Sequence, residues 1–400
     1  MNAIVAAPGS DSSTSGIATS GSATSGVATS GVATSATVTT NVETPDLLSS
    51  GSDGAVSESS SWSTHIRRVG QFVAAFLGAL ALFGILMLLK GVNPFTAYKD
   101  MVVSTLGDSS QIAGIAVRAT PIILAALAVS IPARAGMINV GGEGQLIIGG
   151  VGAMGTSLAL SGRLPGPIVL VLMGLAAAVA GGLWAGIAAL LRLRVGIAES
   201  VSTLLMNYIA LDAMYFLIFQ PWKDRNGSGQ PATRAVGAGE RLPLWGSTRV
   251  HLGLLLAVVA VLTVYTLFRT TSWGFRLRVV GGNTEAGRRA GLNVSALMFS
   301  AMCTGGMLAG LGGFTQLAGA EFKLRSGFLA GYGYVAFLAS WLGKHRPIGV
   351  ALSCLLLSTI AISGDSLQLD AQLPAASVNV LMALVLLGVF GFSKRKAVAA

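Results

Sequence analysis

Ten apolar runs alternate with connections that carry short clusters of basic residues, and leave this chain few folds to choose from. They cover 69–89, 111–132, 137–160, 165–191, 199–219, 251–268, 296–318, 328–342, 347–363 and 375–392. A helix needs about 20 predominantly apolar residues to cross a bilayer, and in lipid every backbone polar group must find its partner within the protein. The expected fold class is therefore all-α, a polytopic membrane helical bundle of about ten transmembrane helices over residues 65–396. Composition agrees: 10% of residues are charged, against about 25% in soluble domains.

Residues 1–64 are different in kind. The pentapeptide Gly-x-Ala-Thr-Ser recurs four times between Gly16 and Ser35, inside a Ser/Thr/Gly/Ala-rich tract. So little bulky apolar content cannot offset chain entropy, and this segment is expected to be a disordered tail. The formal net charge of +10 is spread in short clusters between the runs, which reads as membrane topology; no nucleic acid is expected. With the amino terminus in the cytoplasm and alternate crossings, every cytoplasmic connection carries a basic residue, among them Arg134, Arg192, Arg269, Lys344 and Arg346. Both termini then lie in the cytoplasm, and the plasma membrane is the expected location. Cys303 and Cys354 fall inside apolar runs and read as small core residues. No phosphate-binding loop, metal constellation or nucleophile–base pairing is present, so no cofactor, metal or catalytic residue is expected.

Polar residues inside the runs carry the functional signal. Arg134-Ala-Gly-Met-Ile-Asn-Val-Gly-Gly-Glu-Gly-Gln145 places a carboxylate, two amides and four glycines between apolar stretches. Such a glycine-broken element is tolerated at membrane depth only where protein covers it or where it lines a watery cavity. Glu199, Thr203, Met206, Asn207 and Ala210 recur at the three- and four-residue steps of one helical face, either as part of a path or as polar glue between helices. Arg118, three residues before Pro121, either pairs with a carboxylate or snorkels to the headgroups. Gly182-x-x-x-Gly186, Gly306-x-x-x-Gly310 and Gly327-x-x-x-Gly331 are close-packing signals.

The segment Ala135–Gln145 resembles the signature of permease subunits of bacterial ABC importers for simple sugars and nucleosides, in the branch associated with basic-membrane-protein-type lipoproteins. The run Glu199–Leu211 is similar to the same branch, and Gly281–Val294 resembles the family's ATPase-coupling segment, with Ala286-Gly287 where the family usually has two alanines. The resemblance covers roughly residues 70–392. It implies a transport subunit rather than an enzyme, forming half of a translocation pathway for a small neutral solute, a nucleoside or simple sugar. It implies three partners: a cytoplasmic ATPase, a second permease subunit (identical or related) and an extracellular solute-binding lipoprotein. The substrate pathway is expected at Asn139, Glu143, Gln145 and Asn207, and ATPase coupling at Asn283, Glu285, Ala286, Arg288, Arg289 and Gly291. The alternative is an ion-gradient-driven secondary transporter, in which Glu143 or Asp212 carries a proton.

Overall fold

A computed structural model describes residues 59–394, apart from 228, 371–373 and 375. In chain order its helices are α1 (Ser59–Leu89), α2 (Pro94–Leu106), α3 (Ser109–Arg134), α4 (Gly142–Leu160), α5 (Gly166–Leu190), α6 (Glu199–Phe219), α7 (Gly253–Thr270), α8 (Ser272–Gly282), α9 (Thr284–Arg289), α10 (Val294–Gln316), α11 (Tyr332–Leu342), α12 (Pro347–Asp370) and α13 (Ala376–Lys394). π-helical turns prolong α5 to Val195 and α10 to Glu321. Among the described residues β structure is limited to isolated bridges, so the chain is all-α. The expected tail of residues 1–64 overlaps the first turns of α1 from Ser59 onward; its remainder lies outside the described residues.

Among the described residues, six helices are long and apolar enough to span a membrane, or seven if α1 and α2, bent by 116° at their junction, form one span. The expected count of about ten is not reached on this measure. The shortfall lies in α4, which carries Glu143 and Gln145 in its opening residues, in α11, which has 11 residues, and in α13, whose apolar part is Ala376–Gly388. Helix α2 arises where no apolar run was recognised. Asn93 starts it, its side-chain oxygen accepting the Phe95 N–H at 3.0 Å, and Pro94 supplies a φ suited to the first helical position.

Helix α3 is the axis of the bundle. Its residues are buried without interruption from Ala119 to Pro132, as a helix apolar on all sides requires, and it packs against α7, α10, α11 and α12. Helices α5 and α10 meet backbone to backbone. A Cβ on Gly306 would run into the carbonyl oxygen of Gly181, and one on Gly310 into that of Ala177. Gly313 sits equally tightly on the Leu146 carbonyl of α4. Two of the glycine pairs read from the sequence are thus packing contacts. The third is not: Gly327 and Gly331 have φ of +85° and +83° and turn the irregular chain between α10 and α11.

Gly310→Ala should therefore lower the thermal midpoint of the detergent-solubilised protein, because backbone rather than a side chain opposes the added methyl. Gly78→Ala in α1, where nothing lies within 4 Å, should leave it unchanged or raised. Equal midpoints for the two variants would contradict this packing.

Candidate functional site

Helix α3 stops at Arg134 because Pro132 and Gly136 act together. The Pro132 carbonyl accepts the N–H groups of Ala135 (2.9 Å) and Met137 (3.1 Å), and Gly136, at φ +77°, takes the left-handed turn that L side chains resist. The chain then runs irregularly until α4 begins at Gly142. An unwound backbone among apolar helices has unpaired amides, each costing about 1–3 kcal/mol if left so.

Helix α6 supplies partners from three positions one turn apart. Glu199 Oε1 accepts the Ile138 N–H at 3.0 Å. Thr203 Oγ1 accepts that of Val140 at 3.2 Å while donating to the Glu199 carbonyl at 2.6 Å. Asn207 uses both ends of its amide: Oδ1 accepts the Gly144 N–H at 2.8 Å and Nδ2 donates to the Val140 carbonyl at 3.0 Å. Helical spacing of four residues advances about 6 Å, close to two residues of extended chain, so the α6 stripe matches the unwound segment. Of the two sequence readings of this stripe, polar glue describes these contacts. Glu199 also meets Arg192 at 3.4 Å.

Asn139 and Gln145 close the segment from within. Asn139 Nδ2 donates to the Ala128 carbonyl (3.0 Å) and Gln145 Oε1 (3.1 Å), and its Oδ1 accepts from Gly141 N–H (2.9 Å) and Gln145 Nε2 (3.0 Å). Glu143 reaches across to the start of α11. Its two carboxylate oxygens accept the N–H groups of Gly331 and Gly333, each at 2.6 Å. These amides open α11, whose N-cap is Gly331 at φ +83°. Glu143 itself stands in the first turn of α4, so one carboxylate meets the positive ends of two helix dipoles. Helix α11 is about 16 Å long at 1.5 Å per residue and is followed by Lys344 and Arg346. The carboxylate thus lies about half a hydrocarbon core from that basic end.

The four expected pathway residues are brought into one node. Asn139 is 0% exposed, Gln145 1%, Asn207 3% and Glu143 7%. The partners of Glu143, some 190 residues on, had no sequence signal. Thr203 and Glu199 did, through their spacing. Arg118 turns inward, its guanidinium 5.1 Å from the Tyr332 ring centroid, at the start of α11. Asp212 is exposed on α6, apart from the node.

The expected coupling residues form a separate exposed element. Asn283 caps α9, accepting the Ala286 N–H at 3.0 Å. Glu285 pairs with Arg288 at 3.0 Å and Arg289 at 3.2 Å, and Gly291, at φ +76°, ends the turn. Gly287 is buried, and a Cβ there would stand 3.3 Å from Val280, so the departure from two alanines fits close packing of α9 on α8. At the other end of this element Gly281 abuts Arg134 and Gly136: a Cβ on Gly281 would collide with the Arg134 carbonyl. The end of α8 therefore rests on the corner where the unwound segment begins.

On the opposite side the loop 220–250 is laced to the chain after α10. Thr233, Val236 and Leu242 donate their N–H groups to the carbonyls of Leu324 (2.9 Å), Phe322 (2.8 Å) and Ala318 (2.8 Å). Burial raises the pKa of Glu240, but hydrogen bonds from Ser157, Ser161 and Gly237, with Arg234 nearby, hold it below its ordinary value. His251, 1% exposed, accepts the Gly253 N–H through Nδ1 at 3.1 Å, and burial pulls its pKa down to about 4.

A bundle of long apolar helices with a buried carboxylate at the starts of α4 and α11 is a polytopic helical membrane protein. Residues 111–390 match the family model described as the permease component of the branched-chain amino acid transport system, and the chain belongs to that family. It is 36% identical to the glucose ABC transporter permease protein of Haloferax volcanii, over 80% of this chain and 86% of that protein. It is 31% identical to the guanosine ABC transporter permease protein of Bacillus subtilis, over 79% and 90%, and 27% identical to a nucleoside ABC transporter permease protein of Lactococcus lactis, over 80% and 90%. The chain is thus an ABC transporter permease, a transport component rather than an enzyme.

Two expectations follow from this geometry. Glu143→Ala strands the Gly331 and Gly333 amides and should cost about 2–6 kcal/mol, two buried N–H groups at about 1–3 kcal/mol each; a thermal midpoint equal to wild type would refute the bridge. Since the pKa of His251 is lower folded than unfolded, its contribution to stability is complete above about 6.5 and declines as pH falls towards 4. His251→Asn keeps an acceptor for Gly253 and should lose that part of the acid sensitivity. Identical melting-versus-pH curves would contradict a neutral buried imidazole.

Proposed function

We propose that this permease forms half of the translocation pathway of an ATP-driven importer in the plasma membrane. It pairs with a second permease subunit, identical or related, and a cytoplasmic ATPase docks on α8 and α9. An extracellular solute-binding lipoprotein delivers a small neutral solute, a nucleoside or simple sugar. Relatives named for guanosine, nucleosides and glucose support that solute class. In this reading α4, α11 and α13 complete ten crossings, α11 together with the irregular chain before it making one of them. Both termini then face the cytoplasm. Support comes from the convergence of Arg134, Arg269, Arg278 and Arg346 around one pocket, as the positive-inside rule expects of a cytoplasmic face.

One observation carries the mechanism: the backbone contact between Gly281 and the Arg134–Gly136 corner. Movement of α8 and α9 under an ATPase would press directly on the start of the unwound segment. Asn139, Glu143, Gln145 and Asn207 then shape the pathway from behind its wall, holding the broken ends of α4 and α11 in register. Alternating access is a shift between two packings of these helices, biased by the ATPase. Family membership, with Asp212 away from the node, leaves the ion-gradient alternative without a specific observation in its favour.

Purification of the tagged protein should bring with it an ATPase and a similar permease. ATP should drive nucleoside or sugar uptake in reconstituted vesicles, and uptake sustained by an ion gradient without the ATPase would overturn the proposal. Gly281→Val should leave the ATPase bound but impair uptake; full transport by that variant would remove the Gly281 contact from coupling. Asn207→Leu should insert into the membrane yet transport poorly, and normal uptake would remove Asn207 from the pathway.

A further inference from the structure

A cavity of about 500 Å³ opens where the ends of α3 and α7 meet α8 and the start of α12. Four guanidinium groups line it: Arg134, Arg269, Arg278 and Arg346. Three are fixed by the last turns of α7. Arg134 stacks over the Phe268 ring at 4.7 Å, Arg278 donates to the Phe268 carbonyl at 3.3 Å, and Arg269 donates to the Tyr265 hydroxyl at 2.6 Å. Among the described residues, ion pairs engage Arg192, Arg288, Arg289 and Arg325 but none of these four. No carboxylate is among the described residues that line the cavity. Four like charges gathered at a membrane rim repel one another and call for an anion of more than one negative oxygen, which guanidinium forks bind well.

The surroundings indicate where that anion comes from. Tyr265, Phe268 and Ile348 contribute apolar wall. Val258, Leu262, Tyr265 and Arg269 follow one another at four- and three-residue steps along one stripe of α7, and Val258 and Leu262 are exposed. A ligand whose phosphate sits among the arginines can therefore lay an acyl chain along α7 into the bilayer. We propose that this cavity binds the phosphate headgroup of an anionic phospholipid, in keeping with the behaviour of basic pockets between membrane helices. A soluble phosphate would share the headgroup chemistry but leave the apolar stripe uncovered.

The full-length protein can be tested in nanodiscs with phosphatidylglycerol carrying a photoreactive acyl chain. Labelling should fall on α7 between Val258 and Arg269, and should persist against millimolar inorganic phosphate. The matching phosphatidylcholine probe should label weakly. Arg269→Gln with Arg346→Gln, both at exposed positions, should reduce phosphatidylglycerol labelling by at least about tenfold, two basic contacts being lost. The corresponding Lys variants and the outlying Arg276→Gln should retain it. Equal labelling by phosphatidylcholine, or loss to inorganic phosphate, would overturn the proposal. So would a double variant that keeps its lipid but loses the ATPase, which would assign the arginines to a protein partner. The two probes and the phosphate competition are read on wild-type protein, so the test stands even if the double variant fails to accumulate.

Discussion

The unwound backbone between α3 and α4 is held by side chains rather than by its own helix, and the rest of the node depends on that substitution. Glu199, Thr203 and Asn207 pair with Ile138, Val140 and Gly144, groups that lipid would leave bare. Without those partners a continuous α3–α4 connection or a water-filled gap would be preferred. With them the chain can expose the positive end of α4 beside that of α11 and tie both through Glu143. The carboxylate is costly to bury, and two amide donors together with two helix termini offset that cost.

This arrangement gives the bundle both rigid and adjustable parts. Helices α3, α5 and α10 pack through glycines and unbroken apolar faces, where added volume meets backbone. The node is joined instead by hydrogen bonds from side chains to backbone. Its Arg134–Gly136 corner touches α8 through Gly281, while the loop 220–250 is laced to residues 318–324. Helix α8 thus meets the interrupted segment at Gly281 and α10 at Trp273, whose indole N–H donates to Ser300 Oγ at 3.0 Å.

Much of this was legible in the sequence. Long apolar runs marked ten of the thirteen described helices, because length and hydropathy are local properties, and the Ala135–Gln145 break announced itself by polar residues in apolar surroundings. The four-residue spacing of Glu199, Thr203 and Asn207 gave an inward face, though spacing alone could not distinguish a path from glue. The number of crossings was not legible from helix length alone, since α11 has 11 residues and its preceding residues 328–331 are turn, and Gly327 and Gly331 serve φ rather than packing. The bond from Glu143 to Gly331 and Gly333 depends on a fold-level contact across some 190 positions. Gly281 offered no signal until its neighbour Gly136 was placed in space.

Amide hydrogen exchange in nanodiscs tests the central claim most directly. If side chains of α6 and Glu143 seal the interrupted helices, the amides of Ile138, Val140, Gly144, Gly331 and Gly333 should exchange as slowly as those in the middle of α3. Exchange at those five positions as fast as at the exposed Asn226 and Gly227 would contradict the account.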